Sequence, residues 1–281
     1  MQPILECCCG VDVHKDMIEA CIIKGMDNPI YIRERFSTFQ NDLQNFVNWL
    51  FENDCFNIAM ESTGIYWRPV YEAIEQYSQY YESILVANAH NMRNIPGRKT
   101  DVKDAEWIAT LFQHGLLEPS FVPERTIRDL REFSRTYKNS VSEKVRCLNR
   151  LEKFLQTHGF KLSSVLSDIN SVSGIRILTI LSEKGSLTVS DVQNAISSNT
   201  KKSAYEIQLA VCGRLNPNEC FLLSDFLNQL NLIQSHIDKI LSKMQEIAAP
   251  YANILEQLDS IVGIDITAAL LILAEIGGNP Q

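Results

Sequence analysis

The chain has 281 residues, 45% of them apolar and 21% charged, and a formal net charge of −8. That balance excludes a disordered or fibrous chain and leaves room for one large domain or two ordinary ones. The acidic total argues against indiscriminate coating of nucleic acid, so local patches must decide any such role.

The N-terminal stretch MQPILECCCGVDVHKD has neither a basic n-region nor a long apolar run, and no run of about 18 apolar residues occurs anywhere. No membrane span, secretory signal or membrane partner is expected, and the expected compartment is the cytoplasm. Cys7, Cys8 and Cys9 are contiguous, while Cys21, Cys55, Cys147, Cys212 and Cys220 form no paired CxxC spacing. Buried reduced thiols are expected rather than zinc or disulfides.

In chain order, Ile4 to Cys9 and Met17 to Ile23 read as a hairpin around the polar HKD step, and Ile30 to Phe36 alternates like a third strand. Asn41 to Phe51 carries Leu43, Phe46, Val47 and Leu50 at helical spacing, with Asn41 as expected N-cap. Phe56 to Met60 reads as a strand, Tyr66 to Tyr77 as a helix, Ser83 to Ala87 as a strand and Asp101 to Phe112 as a helix. The order βββαβαβα implies a mixed α/β sheet covered by helices, in the order used by ribonuclease-H-like nuclease domains.

From Glu124 to His158 neither Gly nor Pro occurs, predicting a helix of about 35 residues and about 50 Å. Ile127, Leu130, Phe133, Tyr137, Val141, Val145, Leu148, Leu151 and Leu155 fall within an arc of roughly 120°. Arg125, Arg128, Arg131, Arg135, Lys138, Arg146, Arg150 and Lys153 fall in the opposite arc. After a Ser/Gly-rich segment, about Ser163 to Ser203, a second long helix is expected from Pro217 to Ala249. Its Leu223, Phe226, Leu230, Ile233, Ile237, Ile240, Met244 and Ile247 repeat in steps of three and four, a coiled-coil seam. The seam could close on the first long helix or on another subunit. Residues 1–120, 121–250 and 251–281 are thus expected as a mixed-sheet domain, a helical region for oligomerisation and nucleic-acid binding, and the opening of a further domain.

The acidic residues carry the chemistry. Asp101 and Asp104, three apart in GRKTDVKDAEWIA, share a helical face and can converge on one hard cation. First-turn acids are also favoured by the helix dipole alone, so the pair admits both readings. Asp12 interrupts the apolar context CCCGVDVHK, and Glu61 ends the apolar strand NIAMESTG. In a sheet of the expected order the first and fourth strands are neighbours, so Asp12 and Glu61 meet, with Asp101 and Asp104 above them. Four such carboxylates repel one another unless divalent metal binds, and two Mg²⁺ ions about 3.5–4 Å apart suit phosphodiester chemistry.

At these residues the chain resembles the DEDD transposases of bacterial insertion sequences, relatives of Piv-type DNA invertases. GVDVHKD, AMESTGIYW and GRKTDVKDAEWIATLFQHGLL are similar to that family's three blocks, over Val11 to about Pro119, and IVGIDITAALLILAEIG is similar to the opening of its C-terminal domain. The resemblance implies a RuvC-like domain, akin to Holliday-junction resolvases, with Asp12, Glu61, Asp101 and Asp104 as catalytic, Mg²⁺-binding tetrad. It implies DNA element ends and target DNA as substrates, an element-encoded structured non-coding RNA as guide, and a homo-oligomer, dimer or tetramer. The family also uses a serine followed by glycine, well after the AEIG block; the sequence stops at Gln281, so that C-terminal domain is expected to be only begun here, and neither Ser62 nor Ser173 matches the place. Two other readings are a metal-dependent structure-specific nuclease and a non-enzymatic, RNA-binding dimeric remnant.

Other residues have two readings each. His14 and Lys15 could meet a scissile phosphate or form a solvated turn. Tyr66 and Trp67 could stack on a base or fill core. Arg93, Arg98 and Lys99 could draw a phosphate backbone toward the acids or simply be exposed. The stripe containing Arg125, Arg128, Arg131, Arg135 and Lys138 is expected to grip RNA or DNA phosphates.

Overall fold

The computed structural model describes residues 2–62, 64–88 and 104–278. The chain divides into two compact units, Met1–Val122 and Pro123–Gln281.

The first unit is built on a five-stranded sheet of β1 (Cys7–Val13), β2 (Met17–Lys24), β3 (Ile30–Ser37), β4 (Asn57–Glu61) and β5 (Ser83–Ala87). Its order is β3-β2-β1-β4-β5. β1 pairs antiparallel with β2, and β2 with β3, whereas β1 with β4 and β4 with β5 are parallel. This mixed α/β arrangement is compatible with a ribonuclease-H-like fold, and it sets the first and fourth strands side by side as the element order anticipates.

Alternation along the strands separates two apolar layers. Cys9, Val11 and Val13 join Ile58 and Met60 against Leu43, Phe46 and Leu50 of α1 (Gln40–Glu52) and Val70 and Ile74 of α2 (Trp67–Glu75). On the other face, Cys8, Ile23 and Ala59 pack against Ile108, Ala109 and Phe112 of α3 (Asp104–Gln113). Gly10 lets α3 lie this close: a Cβ there would stand 2.2 Å from the Ala109 nitrogen and 2.3 Å from the Ala105 oxygen.

The start of β1 and the cap of α1 differ from expectation. β1 starts at Cys7 and runs through Asp12 because Gly10 and Asp12 pair with Cys21 and Glu19 across β2, while the Ile4 and Leu5 amides bond the Gln113 carbonyl. Asn41 lies inside α1, and Phe39 occupies the N-cap position. The Asp42 carboxylate, rather than an Asn41 amide, takes the Ser37 N–H and hydroxyl. Five of the eight cysteines, Cys8, Cys9, Cys21, Cys55 and Cys147, are buried thiols, and burial pushes Cys8 up to about 12; Cys212 is exposed.

The second unit is helical among its described residues: α4 (Arg125–Thr157), α5 (Val172–Lys184), α6 (Val189–Ala195), α7 (Ala204–Ala210), α8 (Pro217–Ile247), α9 (Ala252–Asp259) and α10 (Ile266–Ile276). The Ser/Gly-rich stretch is itself largely helical, because its hydroxyls cap helices. Ser171 starts α5, while Thr188 and Ser203 form reciprocal capping boxes with Asp191 and Glu206. Leu178, Leu181, Val192 and Ile207 then close a core with Leu151 and Leu155 of α4 and Leu223 and Leu230 of α8.

α4 and α8 run antiparallel. Ile127 and Leu130, near the start of α4, cluster with Ile240 and Met244, near the end of α8. Farther along, Lys144 donates to the Gln234 amide oxygen at 2.5 Å. The heptad residues Leu223, Leu230, Ile237, Ile240 and Met244 are all buried within this unit, so the α8 seam closes on its own chain. Among the described residues no helix is long and apolar enough to cross a membrane.

Candidate functional site

β1 and β4 are parallel with Val11 opposite Met60, so Asp12 and Glu61 are the next residues of neighbouring strands, at the same end of the sheet. They share the face covered by α3, whose first residue is Asp104. The carboxyl-terminal ends of parallel strands are where open α/β sheets present their functional groups. Gly10, two residues before Asp12, sets the depth at which α3 rests and therefore the height of Asp104 above the sheet.

Asp12 is 8% exposed. Burial pushes its carboxyl above the usual carboxylate range, His14 opposes that rise, and the negative charges of Asp104 and Glu61 add to it. Acids from two further elements thus act electrostatically on Asp12. The His14 Nε2 lies 3.1 Å from Asp12 Oδ2, and the His14 side chain is more than half exposed. The hairpin holds it there, since the His14 amide donates to the Met17 carbonyl and the Thr38 hydroxyl to the Lys15 carbonyl. Lys15 is exposed beside it.

Asp101, Arg93, Arg98 and Lys99 lie outside the described residues. Among the described residues no three His, Cys, Asp or Glu side chains already converge as a coordination shell. The donor chemistry nonetheless fits a hard divalent cation: every acid offered is an oxygen donor, and the negative charges of Asp104 and Glu61 bear on Asp12.

The β2–β3 side of the α3 face carries residues that sequence reading passed over. Asp12 faces Glu19 across β2, and Glu19 faces Arg35 across β3. Arg35 pairs with Glu19, and Arg33 pairs with Glu106 of α3. These four side chains line a cleft of about 220 Å³ with Cys21 and Ala105. The alternation of IYIRERFS, which puts Arg33 and Arg35 on one face, was the available signal. Trp67 packs into the first unit's core, edge to face with Tyr71 at 5.7 Å, whereas Tyr66 is 40% exposed.

The cationic stripe of α4 is not uniform. Arg128 is 6% exposed and donates to the Pro123 carbonyl at 2.8 Å, so its guanidinium is spent on the helix start rather than on the surface. Arg131 donates to the Ala274 and Glu275 carbonyls, both at 2.9 Å, and Lys138 lies 3.6 Å from the Glu275 carboxylate. These two anchor the end of α10, where unpaired carbonyls and the helix dipole favour cations. Of the stripe, Arg125, Arg135, Lys138, Arg146, Arg150 and Lys153 are exposed, Arg131 is half-buried and Arg128 is buried. A 3.6-residue period could not foresee that α10 would cover the middle of this face.

A family model described as a transposase, DEDD_Tnp_IS110, matches residues 9–160, more than half of the chain. A search of curated proteins gave no match.

Proposed function

The chain belongs to the DEDD transposase family, and from that premise we propose that its first unit supplies the carboxylate, Mg²⁺-binding part of the site at which a transposase cleaves and exchanges DNA strands at element ends and target, with an element-encoded RNA as guide. The observation that carries the reading is the meeting of Asp12 and Glu61 on parallel neighbours β1 and β4 beneath Asp104 at the start of α3.

Asp12, Glu61 and Asp104, with Asp101 from the same family block, would hold the metal; when bound, Mg²⁺ supplies charge neutralisation for attacking and leaving phosphodiester oxygens. The protein's own part is positional. The sheet fixes Asp12 and Glu61, the glycine contact fixes Asp104, and buried Asp12 keeps water from screening its charge. His14, against Asp12, is placed to donate to a phosphate oxygen, with Lys15 as a nearby point charge. The exposed cations of α4 serve RNA or DNA backbone, and assembly into a homo-oligomer would use a surface other than the α8 seam.

The test is strand cleavage of branched and supercoiled DNA in Mg²⁺ by the wild type and by Asp12→Asn. The reading expects a loss of about 100-fold or more, at least that of a disrupted second shell, with unchanged nucleic-acid binding. An Asp12→Asn protein as active as wild type overturns it.

A further inference from the structure

On the far half of α4, an open cavity of about 320 Å³ is lined by Arg150, Lys153, Phe154, Thr157, His158 and, from α8, Phe226. Its walls are aromatic: the Phe154 ring lies 5.7 Å from Phe226, tilted by 54°, and 4.6 Å from His158, tilted by 53°. Both phenylalanines are only half-buried although they adjoin the apolar core, so ring surface remains open to the cavity. Its rim is cationic. Arg146, Arg150 and Lys153 follow at i, i+4 and i+7, share one side of α4 and are all exposed. His158 is held in place by Glu219, 3.4 Å away, and Arg150 leans toward the Gln229 amide oxygen at 3.5 Å.

We propose that this cavity is a stacking site for an unpaired nucleotide of single-stranded nucleic acid, separate from the carboxylates. A flat heterocycle can lie on the open faces of these rings, which touch one another, and each base offers a π-face whatever its sequence. The phosphates on either side of that base meet Arg150 and Lys153, with Arg146 extending the track by one turn. A duplex does not fit, because its bases are already stacked and its flat faces are hidden. The proposal rests on the family reading only in taking nucleic acid as the ligand.

The experiment uses the full chain in EDTA, which separates it from any metal-dependent activity. Binding of 12-nucleotide RNA and DNA strands, each with a central 2-aminopurine, is followed by fluorescence and titrated from 50 to 200 mM salt. Phe154→Leu and Phe226→Leu keep apolar volume but remove the ring. Each is expected to weaken single-strand binding by about 5- to 150-fold, the range for one stacked base, and to abolish the 2-aminopurine change while leaving duplex affinity unaltered. Arg150→Gln with Lys153→Gln, both surface changes, should make the salt slope shallower by about 1.4 for two lost contacts. A preference for the RNA or the DNA strand identifies the natural source. No binding by the wild type, unaltered binding by all variants, or an equal loss for duplex overturns the proposal. If Asp12→Asn leaves DNA cleavage intact, the carboxylate reading falls while this result stands.

Discussion

Asp12 concentrates the chemistry of the first unit in a single side chain. Its carboxyl is raised from 3.8 first by burial, with Asp104 and Glu61 adding to the rise. A group whose folded pKa lies above its unfolded value stabilises the fold fully below the unfolded pKa, and that contribution is lost as pH rises through the folded value. Metal-free wild type should therefore lose stability relative to Asp12→Asn across that window. Denaturant midpoints measured for both proteins at a series of pH values check this, and parallel curves would contradict it. Gly10 is the second decisive residue. Gly10→Ala would drive a Cβ into the backbone of α3 at 2.2 Å, and backbone cannot swing aside as a side chain can. A loss of about 1–3 kcal/mol or more is expected from such overpacking, read as a lower urea midpoint, together with weaker divalent-metal affinity as Asp104 is lifted from Asp12.

At the scale of elements, the long helix α4 does two jobs that its sequence does not distinguish. Arg128 and Arg131 sit in the same helical-wheel arc as Arg135, yet one is buried against Pro123 and the other caps α10. Arg131→Met should lower the stability of the helical unit by about 1.5–3 kcal/mol, as expected for lost bonds from a charged donor. Arg135→Ala, at an exposed site, should leave stability unchanged and flatten the salt dependence of nucleic-acid binding by roughly 0.7–0.9. Equal thermal shifts for the two variants would show that the helix face has been divided wrongly. Strands and helices with a strict period were legible: Leu43, Phe46, Val47 and Leu50 announced α1, and each of them is buried. Positions decided by a distant partner were not. The start of β1 depends on pairing with β2, and the burial of Arg128 depends on a carbonyl outside its own helix.

Across the whole molecule, the sequence order of three strands and then alternating helices and strands was sufficient to place β1 beside β4, and so Asp12 beside Glu61. That inference worked because parallel crossovers and hairpins leave few ways to arrange such an order. The α8 seam was ambiguous for the opposite reason: a heptad repeat states that a helix wants a partner and not which one. The fold answers with α4 of the same chain, burying Ile237, Ile240 and Met244. The account's central claim, a hard-cation site made by carboxylates of the sheet and α3, is tested most directly by titrating Mn²⁺ into the full chain by calorimetry, with electron paramagnetic resonance of the bound ion. The account predicts stoichiometric binding by the wild type, displaced by excess Mg²⁺ and lost in Asp12→Asn. Undiminished Mn²⁺ binding by Asp12→Asn, or none by the wild type, would contradict it.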